Sequence, residues 1–142
     1  MKDIETRADI DHLMVDFYSA AMSDETIGYL FTKVANLDLE KHLPVIGDFW
    51  ETLLFGTGKY QIHGRNPLQV HAEIHQKSPL LLGHFERWQE IFGECVDRAF
   101  TGERANFIKQ RAGMIANRML IYVSEVPSEF LYEKNLQAEA NS

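Results

Sequence analysis

The stretch HLPVIGDFWETLLFGTGKY, His42 to Tyr60, decides how this chain folds. Leu43, Ile46, Trp50, Leu53 and Leu54, with Leu39 and His42 just ahead of them, recur at intervals of three and four. That interval stacks side chains on one face of an α-helix, whereas a strand needs an alternation of two. Asp38 stands immediately upstream, a residue type whose carboxylate caps the unpaired N–H groups of a first turn. Pro44 disturbs the pattern, because proline fits a first turn but costs about 3 kcal/mol deeper in a helix. The regular helix is therefore expected to begin near Leu43, with His42 at its start or on a bend, and to run towards Phe55. Gly56, Gly58, Gly64 and Pro67 then mark residues 56–67 as a loop.

Upstream, Ile10, Leu13, Met14, Phe17, Tyr18 and Ala21 form the apolar stripe of a first helix, closed by Ser23-Asp24. A short second helix is expected with Ile27, Leu30 and Phe31 on one face. Downstream, a short helix over Leu68 to His75 stops before Pro79. A strong helix over Leu82 to Ala99 carries Phe85, Trp88, Phe92, Cys95, Val96 and Ala99, and Gly102 breaks it. The last helix spans about Arg104 to Val123, with Ile108, Ala112, Ile115, Ala116, Met119 and Tyr122 facing inward. No segment alternates with period two, so the fold class is all-α: one domain over residues 1–126, then a polar tail, 127–142, expected to be partly disordered.

Composition narrows the function classes. The 142 residues are 45% hydrophobic and 11% aromatic, enough for one buried core. The net charge of −7, from 14 basic and 21 acidic residues, disfavours nucleic acid and anionic membrane surfaces. No apolar run reaches the roughly 20 residues of a membrane helix, and MKDIETRAD at the N-terminus has no apolar signal core, so a cytoplasmic protein is expected. The single Cys95 forms no internal disulfide and is expected to be a small buried hydrophobe.

Six histidines carry the candidate chemistry: His12, His42, His63, His71, His75 and His84. His12 and His84 lie among charged residues and are expected to be solvated, as are Arg104, Lys109, Arg111 and Arg118. His71 and His75 share a helix face, but zinc wants three or four protein ligands and no partners are evident. His42, Tyr18 and Trp88 all sit on apolar stripes, and each alone is more simply a core residue: a histidine bonded to backbone, a tyrosine with its hydroxyl reaching the surface, a packed indole. GTGKY lacks the spacing and preceding strand of a phosphate loop, and no nucleophile elbow is present.

Taken in order, five pieces resemble the truncated haemoglobins, most closely their third group. These are DFYSAA (16–21), HLPVIGDFWETLLFGTGKY, NPLQVH (66–71), HFERWQEIF (84–92) and RAGMIA (111–116), within a run from about Ile10 to Met119. The resemblance implies a two-over-two sandwich of antiparallel helix pairs around haem b (iron protoporphyrin IX). It makes His71 the iron ligand, with His75 one turn later as the competitor. It sets Tyr18, His42 and Trp88 on the ligand side as the catalytic group, and gives Phe17, Phe31, Ile46, Phe49, Tyr60 and Trp88 contacts with the haem. His42 would gate access or ligate iron itself. The loop YQIHGRNPLQVH is longer than the group's usual connection, and Tyr60, His63 or Arg65 would meet the propionate edge there.

The implied function is binding of O2, NO or CO, with redox or detoxifying chemistry on NO or peroxide favoured over storage, since a Tyr/Trp pair retains O2 tightly. The chain has no flavin or nicotinamide motif, so turnover would need a separate reductase. The alternatives are a haem-based sensor module without turnover and a haem-free helical scaffold. A monomer or small homo-oligomer is expected.

Overall fold

The computed structural model describes residues 1–60 and 67–125. Among them no strand forms, and five α-helices are present: α1 (Arg7–Met22), α2 (Leu39–Phe55), α3 (Pro67–Lys77), α4 (Leu82–Ala99) and α5 (Glu103–Glu125). The expected loop residues 61–66, with His63 and Arg65, and the tail 127–142 lie outside the described residues. No helix among the described residues is long and apolar enough to cross a membrane.

Three of the helices are started by a specific carboxylate. At α1, the Thr6 hydroxyl accepts the Asp9 N–H, while the Asp9 carboxylate accepts the N–H groups of Thr6 and Glu5 and a 2.7 Å bond from the Lys2 ammonium. At α2, the Asp38 carboxylate accepts the Lys41 N–H. α5 is capped from a hundred residues away: the Asp3 carboxylate accepts the N–H groups of Arg104 and Ala105 at 2.9 and 2.8 Å. Gly102 allows that approach, because its φ is +139° and a Cβ there would sit 2.5 Å from the Asp3 side chain.

α2 differs from its expected form. It begins at Leu39, passes through Pro44 and ends on Gly56 in the left-handed conformation, φ +68°. The lost N–H at Pro44 would have bonded the carbonyl of Glu40, an exposed residue at the helix edge where water can take over. The inner face is also narrower than expected. Trp50 is buried with Gly47 and Glu51, whereas Leu53 is 37% exposed. The short second helix is a π-helical turn, Leu30–Val34. The Ala35 N–H bonds the Leu30 carbonyl, the Leu37 N–H reaches the Phe31 carbonyl, and Asn36 takes a positive φ of 47°.

α1 pairs with α2 and α4 with α5; α1 lies on α4 and α2 on α5, a two-over-two helical sandwich. The core between the pairs is built from the expected stripe of α1 together with Ile91, Phe92, Cys95 and Val96 of α4 and Ala105, Ile108, Ala112 and Val123 of α5. α3 lies against α5 and the π-helical turn.

A charged clamp holds α1 to α2. The Arg7 guanidinium bonds Asp11, Asp48 and Glu51 and the carbonyl of Pro44, and Lys59 bonds the second oxygen of Glu51 at 2.9 Å. Those cations hold the Glu51 carboxyl below the usual range despite its burial: the Arg7 bond acts most, then Lys59. Gly47 makes the room, since a Cβ there would lie 2.5 Å from an Arg7 nitrogen.

Gly47→Ala is expected to destabilise the protein by about 1–3 kcal/mol, the cost of stranding a buried acceptor, although alanine favours helix by ~1 kcal/mol. Urea unfolding checks it: Gly47→Ala and Arg7→Ala should be clearly non-additive, and a stabilised Gly47→Ala protein would exclude the clamp. The acid limb of stability has its own origin. The Lys2 bond, with the Glu5 and Thr6 N–H groups, brings the Asp9 carboxyl down to about 2 from 3.8. A depressed carboxyl stabilises the fold above its unfolded value and loses that contribution as pH falls from about 4 towards 2. Asp9→Asn should flatten the acid-denaturation curve in that window.

Candidate functional site

The site is built where α1, the π-helical turn, α2 and α4 bring their aromatic residues together. At its centre the Tyr18 hydroxyl and His42 Nε2 lie 2.7 Å apart, with their rings edge-to-face at 5.1 Å. Tyr18 is 6% exposed, and burial pushes its phenol above the usual value, so the hydroxyl keeps its proton. His42 is half-buried on the first turn of α2, and its ring bonds this hydroxyl, a partner the sequence did not reveal.

Around that pair the rings meet edge-on. Phe31, presented by the π-helical turn, packs against Tyr18 at 5.9 Å and 88°. Phe17 touches Tyr18, Trp88 and Phe92 at 5.0, 5.7 and 5.3 Å. Trp88 stacks on Phe92 at 5.5 Å and 21°, and Phe92 in turn meets Trp50. From Trp50 the contacts run to Phe49 and on to Tyr60, which is half-buried at the end of the α2 loop. The Tyr60 N–H is fixed by the Thr52 hydroxyl at 3.1 Å. The structure thus brings together Phe17, Tyr18, Phe31, His42 and Trp88 directly, and Phe49 and Tyr60 through Trp50 and Phe92. Ile46 packs half-buried against the same core. In sequence Trp50 and Phe92 read as core residues on two apolar stripes, and no other signal marks their linking role.

His71 is half-buried on α3, directly before the buried Ala72. His75, His84 and His12 each have a partner of their own. His75 Nδ1 accepts the Leu80 N–H at 2.8 Å, closing the α3–α4 connection, and burial lowers its pKa. His84, expected to be solvated, instead accepts the Leu81 N–H on Nδ1 and bonds the Tyr29 hydroxyl through Nε2 at 3.1 Å. His12 is exposed and lies 3.4 Å from Asp16. Cys95 is buried, and burial pushes its thiol up. Arg104, Arg111 and Arg118 are exposed as expected, the first two lying 5.1 Å over the rings of Phe55 and Phe107, and Lys109 pairs with Asp97. Among the described residues no three His, Cys, Asp or Glu side chains gather as a metal cluster.

No family model matches the chain. Among curated proteins it is 32% identical, over 111 residues, to the Group 3 truncated hemoglobin ctb of Campylobacter jejuni, spanning 76% of this chain and 83% of that protein. Among solved structures it superposes on the group III truncated hemoglobin from Campylobacter jejuni with a TM-score of 0.74 and 30% identity, covering 87% of this chain and 95% of the other. An all-helical two-over-two architecture and a relative of that identity over that length lead to one conclusion: the chain belongs to the group III truncated haemoglobins.

Proposed function

We propose that this protein binds haem b through His71 and retains a diatomic ligand, O2, NO or CO, beside Tyr18, His42 and Trp88. The observation that carries this reading is the 2.7 Å bond between the buried Tyr18 and the half-buried His42, edge-on to Phe17 and Phe31. Family membership supplies the expectation of haem.

The residues present fit the group. A haem needs a neutral imidazole and an apolar surround. Leu43, Ile46 and Phe49 of α2, Phe85 and Trp88 of α4, and Ile115 and Tyr122 of α5 are all apolar residues left half-buried against the core. Hydrogen bonding counts against the competitor, His75. A neutral imidazole that accepts on Nδ1 carries its proton on Nε2, so His75 and His84 offer no free lone pair there. When bound, haem supplies a ligand-binding iron capable of one-electron chemistry.

The Tyr18–His42 pair controls where one proton points. With Nε2 of His42 unprotonated, the Tyr18 O–H donates to it and is spent. With the proton on Nε2, His42 donates to the Tyr18 oxygen, and the Tyr18 O–H turns to the ligand. Burial of Tyr18 lowers the local dielectric, which strengthens that bond. A donor held in readiness suits chemistry on NO or peroxide more than rapid release, and a separate reductase would supply the electrons.

The first test is the visible spectrum of the purified protein beside His71→Ala and His75→Ala. A Soret band abolished or strongly shifted only in His71→Ala is expected; loss only in His75→Ala moves the ligand one turn on, and no band after haem addition removes the haem reading. For the holoprotein, Tyr18→Phe should speed O2 dissociation about ten- to a hundredfold, the worth of a hydrogen bond of roughly 1.5–3 kcal/mol to a polarised ligand. Stopped-flow displacement of O2 by CO measures it, and an unchanged rate would assign the donor role to Trp88.

A further inference from the structure

The chain has only two tryptophans, and both stand on one unbroken run of rings. Trp88 of α4 stacks on Phe92 at 5.5 Å, and Phe92 meets Trp50 of α2 at 5.4 Å. Trp50 meets Phe49 at 5.1 Å, and Phe49 meets Tyr60 at 5.0 Å. The types alternate, so that every second ring is an indole or a phenol. Indoles and phenols are the aromatic side chains that give up an electron most readily, whereas a phenylalanine ring keeps its electrons. Phe92 and Phe49 therefore serve as contacts between Trp88, Trp50 and Tyr60, which can each hold an electron vacancy.

The surroundings change along the run. Trp88 is half-buried beside the residues proposed to meet the diatomic ligand. Phe92 and Trp50, in the middle, are 1% and 2% exposed. Close packing there leaves no room for water or a small scavenger to intercept a vacancy in passage. At the far end Tyr60 is half-buried, and the Thr52 hydroxyl fixes its backbone N–H. A second branch leaves Trp88 through Phe17 and ends on Tyr18. That phenol is buried, so the branch has no outlet comparable to Tyr60.

We propose that Trp88, Trp50 and Tyr60 form a path for single electrons, from a donor at the surface to an oxidant on the ligand side. The proposal rests on the haem reading above and takes hydrogen peroxide as the oxidant. Its reduction to two waters breaks the O–O bond and consumes two electrons and two protons. Each electron is drawn from Trp88, which is refilled from Trp50, and Trp50 from Tyr60. Tyr60 releases its phenolic proton to solvent as it gives up the electron. At neutral pH a tryptophanyl radical oxidises tyrosine, so the vacancy settles on Tyr60. A one-electron donor at the surface, such as a phenol, then reduces the tyrosyl radical, and a proton from solvent restores the hydroxyl.

Spin trapping read by mass spectrometry tests the path. The full chain with haem is mixed with hydrogen peroxide and a nitrone trap, without added donor, and the trap should be found on Tyr60. Trp50→Phe should abolish that adduct while leaving the Soret band and the CO-bound spectrum unchanged. Tyr60→Phe, which does not touch the buried core, should move the oxidation products onto Trp50 and Trp88, and it decides the matter if Trp50→Phe loses its Soret band. In protein that has its Soret band, the absence of a Tyr60 adduct overturns the path. So does an adduct that survives Trp50→Phe, or a Tyr60→Phe protein whose tryptophans stay unoxidised. A wild-type chain with no Soret band marks failure of the haem reading instead. The path is then tested with azide radicals, an outside one-electron oxidant that attacks indoles. Tyr60 should still be labelled and Trp50→Phe should lose most of that label; equal labelling in the two proteins overturns the path.

Discussion

The arrangement of the site depends on Arg7 lying in the notch left by Gly47. A guanidinium can approach a helix backbone that closely only where a Cβ is missing, and there it meets Asp48, Glu51 and the Pro44 carbonyl at once. α1 and α2 are thereby fixed at one separation and one register. Tyr18 is three turns along α1 from Arg7, and His42 lies one turn before Gly47 on α2. Their 2.7 Å bond follows from that register, since a shift of one turn, about 5.4 Å, would break it. The same network holds Lys59 through Glu51, and so fixes the start of the loop that carries Tyr60.

Phe17 makes the complementary connection, from α1 to α4. Its edge-to-face contacts with Tyr18, Trp88 and Phe92 join the two helix pairs through one residue that is 1% exposed. Pairs of this kind add roughly 0.5–1.5 kcal/mol each beyond area burial. Packing of the core and placement of the candidate ligand-side residues are thus one set of interactions.

The helices α1, α4 and α5 were legible because their apolar stripes are wide and bounded by strong breakers, and α3 because Pro67 and Pro79 bracket it. The start of α2 was misjudged because sequence shows the proline's lost bond but not that Glu40 is exposed to water. The π-helical turn could not be read, since five residues contain too little periodicity to separate one helix type from another. Tyr18, His42 and Trp88 were found through resemblance; taken singly, each looked like a core residue. Partners far apart in sequence were invisible: Asp3 with the start of α5, Arg7 with Glu51, and Tyr29 with His84, which turned a supposedly solvated histidine into a tie between the π-helical turn region and α4.

The composition of the α2 interface has a physical reason. A helix normally holds its place by burying an apolar stripe. α2 fully buries only Gly47, Trp50 and Glu51, while Leu39, Leu43, Ile46, Phe49, Leu54 and Phe55 remain half-exposed. If that apolar face serves a flat cofactor, it cannot also be spent on packing against α1, and the helix must be secured by other means. The Arg7–Glu51–Lys59 clamp, the Asp38 cap and the Tyr18–His42 bond are those means. Polar ties of this sort stabilise less per contact than a packed core, because desolvation offsets much of the charge attraction. They are, however, directional, so they fix where His42 points while the apolar residues of α2 stay only half-buried. Held by charge at its centre, α2 would keep its half-buried hydrophobic side chains available to the haem proposed above.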